Sequence, residues 1–159
     1  IVLTSSDITF HDGDMMAMIH ELVHCVHSSN GEFLCKPFDE GYATYMTTLI
    51  NDKYEYDNYS YKLNYSNYEK EITADNAEQL FLTESGWNAY LYGYRFITYL
   101  METYNKETLN EIINAFPVEL LTSEPSIDEV AEAIKEKTSD TVFEDFGTWY
   151  VDNEAKFEE

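Results

Sequence analysis

His20-Glu21-Leu22-Val23-His24 lies within a stretch from Asp14 to Ser28 that has the apolar spacing of an amphipathic helix. Four residues of helix advance about 400°, so His20 and His24 project from one face, one turn apart. Two imidazoles so placed can hold one Zn²⁺, while Glu21 can act on a water molecule that the metal activates. The plainer interpretation is a helix that happens to carry two histidines.

A second acidic segment, Asp39-Glu40-Gly41-Tyr42-Ala43, follows, and fifteen residues separate His24 from Glu40. A hydrolytic zinc site usually has three protein ligands and one open position. Together with the HExxH pattern, this segment resembles the gluzincin metallopeptidases, whose third ligand is a Glu on a second helix. In the aminopeptidase N-like branch that Glu lies within Asn-Glu-Gly-Phe-Ala. The resemblance implies that Glu40 is the third zinc ligand, with Asp39 as the alternative.

The segment Tyr90-Leu91-Tyr92-Gly93 lies near the start of a long apolar helix. It is similar to the Tyr-x-x-Gly of the aminopeptidase N-like branch, whose tyrosine hydrogen-bonds the oxyanion during hydrolysis. The resemblance implies that Tyr90 is this electrophile. Tyr92 and Tyr94 remain alternatives, because a chain with 14 tyrosines matches so short a pattern easily. The similarity extends from about His20 to Tyr150, and its motifs cover a small part of that range.

The chain also departs from the gluzincin pattern in three ways. Thr44 occupies the position, four residues after the ligand Glu, where thermolysin-type members have an Asp that orients a histidine. The spacing between His24 and Glu40 is short for the aminopeptidase N-like branch. The Gly-x-Met-Glu-Asn motif that binds a free amino terminus is absent from the sequence. Aminopeptidase activity is therefore not supported, and endopeptidase activity is the default.

Composition restricts the partners of the chain. Its 159 residues suit one domain, and 44% hydrophobic residues indicate a globular fold. The net charge of −22 argues against nucleic acid and anionic membranes, which require basic surface. The sequence contains no run of about twenty apolar residues, so insertion into a membrane is not predicted. The composition does not determine the oligomeric state or the location of the protein, although an extracellular or cell-surface location is slightly favoured.

The predicted fold is mainly α, with at most a short strand region at residues 1–4 and 8–10. The resemblance implies a helical C-terminal lobe. Pro37 is assigned to a loop, and Gly41 and Ala43 are expected to let the second helix approach the first closely. Cys25 is expected to pack, with a disulfide to Cys35 as the alternative. Helices are predicted at 14–28, 38–51, 74–82, 87–104, 109–116 and 126–137, with an aromatic segment at 143–150 docking the last helix.

Two further features allow more than one interpretation. His27 follows His24 on nearly the same helix face and is expected either to support the site or to lie on the surface. A third-ligand role for His27 is less favoured, since His20, His24 and His27 on one straight helix span too much rise to converge on one ion. The tyrosine-rich segment 52–68 is a surface excursion or, less simply, the wall of a peptide or glycan groove.

The sequence therefore predicts one zincin-like metallopeptidase domain over residues 1–159, N-terminally incomplete. Its function would be zinc-dependent hydrolysis of peptide bonds in a peptide or protein substrate. The alternative is a catalytically inactive zincin-like binding module. An intact Glu21 argues against that alternative, because a structural zinc site needs no general base and is usually closed by a fourth protein ligand.

Overall fold

The computed structural model describes residues 15–28, 34–54, 68, 70–116 and 125–157, and within these ranges the chain is helical without a strand. This confirms the mainly α fold. The predicted strand segments and most of the tyrosine-rich segment lie outside the described residues. The helices are α1 (Met15–Ser28), α2 (Lys36–Tyr54), α3 (Ala77–Thr83), α4 (Gly86–Thr103), α5 (Lys106–Ile113), α6 (Ile127–Lys137) and α7 (Val142–Asn153), followed by a 3-10 turn, Glu154–Phe157.

The start of α2 corrects the assignment of Pro37 to a loop, because Pro37 lies in the first turn of that helix. A proline is tolerated there, since the first N–H groups of a helix have no intrahelical partner and the fixed φ suits a helix. The backbone N–H of Cys35 donates to Asp39 Oδ2 at 2.7 Å. This bond satisfies a donor at the helix start and fixes how the chain enters α2.

Side-chain caps begin α5 and α6. The Asn105 side chain accepts a hydrogen bond from the Thr108 backbone at 3.0 Å. Ser126 and Glu129 form a reciprocal capping box. The helix that Asn105 caps begins at Lys106, three residues before the predicted start, because the cap and not the first apolar residue determines where it begins.

The central helices α2 and α4 cross where two glycines meet. A Cβ on Gly93 would lie 2.8 Å from the Cα of Gly41 and would overlap the carbonyl of Pro37. The prediction that Gly41 lets α2 approach α1 closely is therefore wrong, because Gly41 contacts α4. Ala43 is fully buried on the same helix. The crossing brings the start of α2 beside the start of α4.

The core is built mainly from aromatic rings on α3, α4 and α7. Phe96 stacks on Phe143 with ring centroids 5.2 Å apart, and Phe81 lies 5.1 Å from the same ring. Such pairs add to the apolar area that they bury. The aromatic segment predicted to dock the last helix is thus part of α7 itself, and it packs directly on α4.

Arg95 is a buried cation that fixes the end of the chain against α4. Its guanidinium lies 5.1 Å from the ring centroids of both Tyr68 and Phe157. It also donates to the Leu91 carbonyl at 2.8 Å and to the Tyr150 hydroxyl at 3.3 Å. A buried guanidinium requires such partners.

Cys25 and Cys35 are both free thiols, so the alternative of a disulfide between them is not formed. Burial raises the pKa of the Cys35 thiol to about 12, which keeps it protonated and unreactive. Among the described helices, none combines the length and the apolar character needed to cross a membrane.

Candidate metal centre

His20, His24 and Glu40 converge at the crossing of α1 and α2. The Nε2 atoms of the two histidines are 3.1 Å apart, and Glu40 Oε2 lies 3.0 Å from the first and 3.1 Å from the second. Ligands around a tetrahedral zinc ion with bonds of about 2.0–2.1 Å are separated by about 3.3 Å. The three atoms therefore have nearly the separation of one face of a zinc tetrahedron. Among the described residues, this group is the one able to hold a metal ion.

The two helices contribute these ligands in a simple way. His20 and His24 are one turn apart on α1, and Glu40 lies one turn into α2. His20 is 4% exposed and Glu40 is 8% exposed. Polar groups at that depth need partners, and here they have one another. A cation placed between two imidazole nitrogens and a carboxylate would satisfy all three atoms together.

Interactions within the cluster favour the ionised form of Glu40 even without a metal ion. Burial opposes ionisation of Glu40, but hydrogen bonds with His20, His24 and Tyr90 outweigh it and lower the pKa of the carboxyl to about 2. Burial lowers the pKa of His24, yet the hydrogen bond and charge of Glu40 raise it above its ordinary value overall. Zn²⁺ requires both imidazoles in their neutral form, and with the ionised carboxylate they then make a donor set that suits this ion.

Tyr90 is the tyrosine that contacts this cluster. Its hydroxyl hydrogen-bonds to Glu40, and its ring stacks on His20 with centroids 5.7 Å apart and an interplanar angle of 19°. Tyr92 is fully buried on another side of α4, and its hydroxyl donates to the Ala77 carbonyl at 2.6 Å. Of Tyr90 and Tyr92, it is thus Tyr90 whose hydroxyl and ring lie against the cluster.

Tyr94, the other alternative, packs on rings away from the cluster. Its ring lies 5.6 Å from that of Phe157 and 6.4 Å from that of Tyr45. Glu21 is exposed on α1 and lies close enough to His24 for their charges to interact. The carboxylate of Glu21 is thus accessible to solvent.

Asp39 and His27 form a second polar pair that sequence reasoning did not connect. His27 Nδ1 lies 3.3 Å from Asp39 Oδ1, and both side chains are almost fully buried. Burial raises the pKa of Asp39 to about 7 and lowers that of His27 to about 4, so neither buried group favours its charged form. Asp39 thus joins α1 to α2 and is not part of the metal cluster, while the surface alternative for His27 is wrong.

The outer partners of the ligands are incomplete. His20 Nδ1 and Thr44 Oγ1 are both buried without a hydrogen-bond partner in the part of the chain that the structure describes. A ligand histidine normally donates its second ring N–H to a carboxylate, carbonyl or water. The inner donor set therefore fits Zn²⁺, while no described residue accepts a hydrogen bond from the second ring nitrogen of His20.

A cavity of about 650 Å³ lies beside another part of α1 and is separate from the cluster. It lies between α1, α2 and α5, and the metal-cluster residues are not among those that line it. Its apolar lining residues are Ile19, Leu22, Val23, Val26, Met46, Ile50 and Ile113. The chemistry of the cluster is thus not enclosed by this cavity.

Comparison with models of known protein families finds no match, and neither do comparisons with curated proteins and with solved structures.

Proposed function

We propose that this chain is a zinc-dependent peptidase of the gluzincin type, with His20, His24 and Glu40 as the metal ligands. The observation that supports this most strongly is the convergence of three ligand atoms, from two helices, within 3.1 Å of one another. When bound, Zn²⁺ would polarise the scissile carbonyl and lower the pKa of the attacking water. The residues around it then have distinct tasks.

Glu21 acts as the general base and then as the general acid. Its exposed carboxylate takes a proton from the attacking water and delivers it to the leaving amine. Tyr90 donates a hydrogen bond to the oxyanion that forms on the substrate carbonyl. Its hydroxyl is already directed to the cluster by its bond to Glu40.

The substrate is a peptide or protein, and endopeptidase activity is the simplest form of the proposal. The strong negative charge of the chain makes nucleic acid an unsuitable substrate. Peptides that carry basic residues would be attracted by the same charge.

One observation favours a second candidate, a binding module without activity that holds zinc weakly or not at all. The buried Nδ1 of His20 has no partner among the described residues, and an unoriented ligand weakens metal binding. An exposed Glu21 at the cluster favours catalysis. Measured turnover on a peptide library, after zinc content is known, decides between the two.

The metal ligands provide the first test. Protein purified without chelator should contain close to one zinc per chain. Substituting Ala for His20, His24 or Glu40 should weaken zinc binding by well over the ~10–100-fold that outer-shell changes cost, since three ligands are the minimum for a tight open site. Glu21→Gln is the control that should keep its zinc. Full zinc retention in Glu40→Ala would show that another residue is the third ligand.

Tyr90→Phe tests the proposed oxyanion donor. An interaction made mainly in the transition state lowers kcat and leaves KM nearly unchanged, so kcat should fall by roughly 10²-fold or more. Tyr92→Phe should cost stability of about 1 kcal/mol through its lost buried hydrogen bond, without slowing the reaction. A slow Tyr94→Phe together with an unaffected Tyr90→Phe would move the donor one turn along α4.

A further inference from the structure

Three rings form a continuous row from solvent to the metal cluster. The indole of Trp87 stacks on Tyr90 with centroids 5.3 Å apart and an interplanar angle of 27°. Tyr90 in turn stacks on the ligand His20. Trp87 is 48% exposed, although a buried Trp side chain would remove a large apolar area from water.

The position of Trp87 is held by buried contacts just before it. Glu84 is buried between α3 and α4, where it accepts hydrogen bonds from the Tyr68 hydroxyl at 3.1 Å and from Lys70 Nζ at 2.7 Å. Gly86 then begins α4 with a φ of 56°. A Cβ built on Gly86 would meet no described atom within 4 Å, so the turn is open to solvent beside the indole.

Single exposed apolar side chains are ordinary on protein surfaces and need no explanation. Tyr54, for example, is exposed near the end of α2, far along the helix from Glu40. Trp87 differs because its exposed ring is one ring away from a metal ligand. In an extended peptide, alternate side chains point to the same side and neighbouring residues are about 3.3 Å apart along the chain. A peptide bound at the cluster and extended along this row of rings would bring a nearby side chain over the indole.

We propose that Trp87 forms one wall of the substrate cleft and binds an aromatic or large apolar side chain close to the scissile bond. The inference depends on the proposed function for the metal and the substrate class. Contact with Trp87 would add a preference for aromatic peptides, which neither the metal ligands nor Glu21 would supply. Stacking on a fixed aromatic face gives such a preference without a deep pocket.

Binding of two small metal-directed probes tests this preference without turnover. Zinc-loaded protein is titrated with phenylalanine hydroxamate and with alanine hydroxamate, and affinities are measured by calorimetry. The wild-type chain should bind the phenylalanine probe at least ~10-fold more tightly, a difference typical of one well-packed apolar group. Trp87→Ala should remove this difference, while Trp87→Phe should keep most of it. Tyr54→Ala is the matched control with an exposed aromatic residue removed elsewhere, and it should behave as wild type.

A spectroscopic readout locates the bound side chain. Trp149 is the only other tryptophan, so Trp149→Phe leaves Trp87 as the sole indole emitter. The phenylalanine probe should shift the emission of that variant, and the alanine probe should shift it less.

The outcomes separate this inference from the proposed function. If zinc binds and both hydroxamates bind with equal affinity in wild type, the role of Trp87 is wrong and the zinc site stands. An equal loss for both probes in Trp87→Ala would also overturn it, since Trp87 would then act only by holding Tyr90. If arginine hydroxamate binds more tightly than phenylalanine hydroxamate, the aromatic preference is overturned. If neither zinc nor hydroxamate binds, the proposed function fails and the inference fails with it.

Discussion

Glu21→Gln is expected to abolish peptide hydrolysis while zinc content and thermal unfolding remain nearly unchanged. Gln keeps the size and hydrogen-bonding capacity of Glu but cannot accept the proton of the attacking water. General-base catalysis contributes about 10²–10⁴-fold, so kcat should fall at least that far. Because Glu21 is exposed and is not a ligand in the cluster, its replacement should cost the fold little.

The measurement is single-turnover and steady-state hydrolysis of a fluorogenic peptide by protein of known zinc content. Glu111→Gln is a matched control, because it removes an equally exposed carboxylate from α5, outside the cluster. It should hydrolyse the peptide at the wild-type rate. Equal turnover by wild type and Glu21→Gln would assign the activity to a contaminant or to another site.

Gly93→Ala is expected to give the largest loss of stability, about 3 kcal/mol or more in the free energy of unfolding. The new methyl group would overlap the Pro37 carbonyl and lie 2.8 Å from the Gly41 Cα. Both obstacles are main-chain atoms, which cannot move aside as a flexible side chain does. Either α2 and α4 separate, with loss of core packing, or the chain fails to fold.

Urea unfolding followed by circular dichroism measures this loss. Gly86→Ala is the control, since its Cβ would meet open space and its cost should be only the ~1 kcal/mol of placing Ala at a positive φ. A Gly93→Ala variant as stable as Gly86→Ala would show that the two helices do not cross so closely. Zinc affinity should fall together with stability, because the same crossing aligns Glu40 and Tyr90.

Local signals were enough to predict that the two histidines of the cluster lie together. The period of a helix fixes His20 and His24 on one face whatever surrounds them. The relation of Glu40 and Tyr90 to that face came from a resemblance to known enzymes, and the structure brings both side chains to the histidines. The helix of Ser126 was predicted equally well, because its capping box is a purely local pattern.

Contacts between elements could not be predicted in the same way. A small residue such as Gly41 indicates a close approach but does not say which helix approaches, and the partner is α4. Pro37 is compatible with a loop and with a first helical turn. The hydrogen bond from the Cys35 backbone N–H to Asp39 Oδ2 belongs to the second case, and the sequence does not reveal it. The pairing of His27 with Asp39 needs the relative orientation of α1 and α2, which neither sequence segment contains.

The few residues from Asp39 to Tyr42 illustrate how helical phase can limit insertions and deletions. Within one turn, Asp39 faces His27, Glu40 faces the two histidines and Gly41 faces α4. Each direction differs from the next by about 100°, so one added or removed residue would rotate every following side chain by that angle. Single substitutions here affect one contact at a time. A change of length would displace the metal ligand, the contact between Asp39 and His27 and the glycine crossing relative to one another, and no nearby substitution could restore all three.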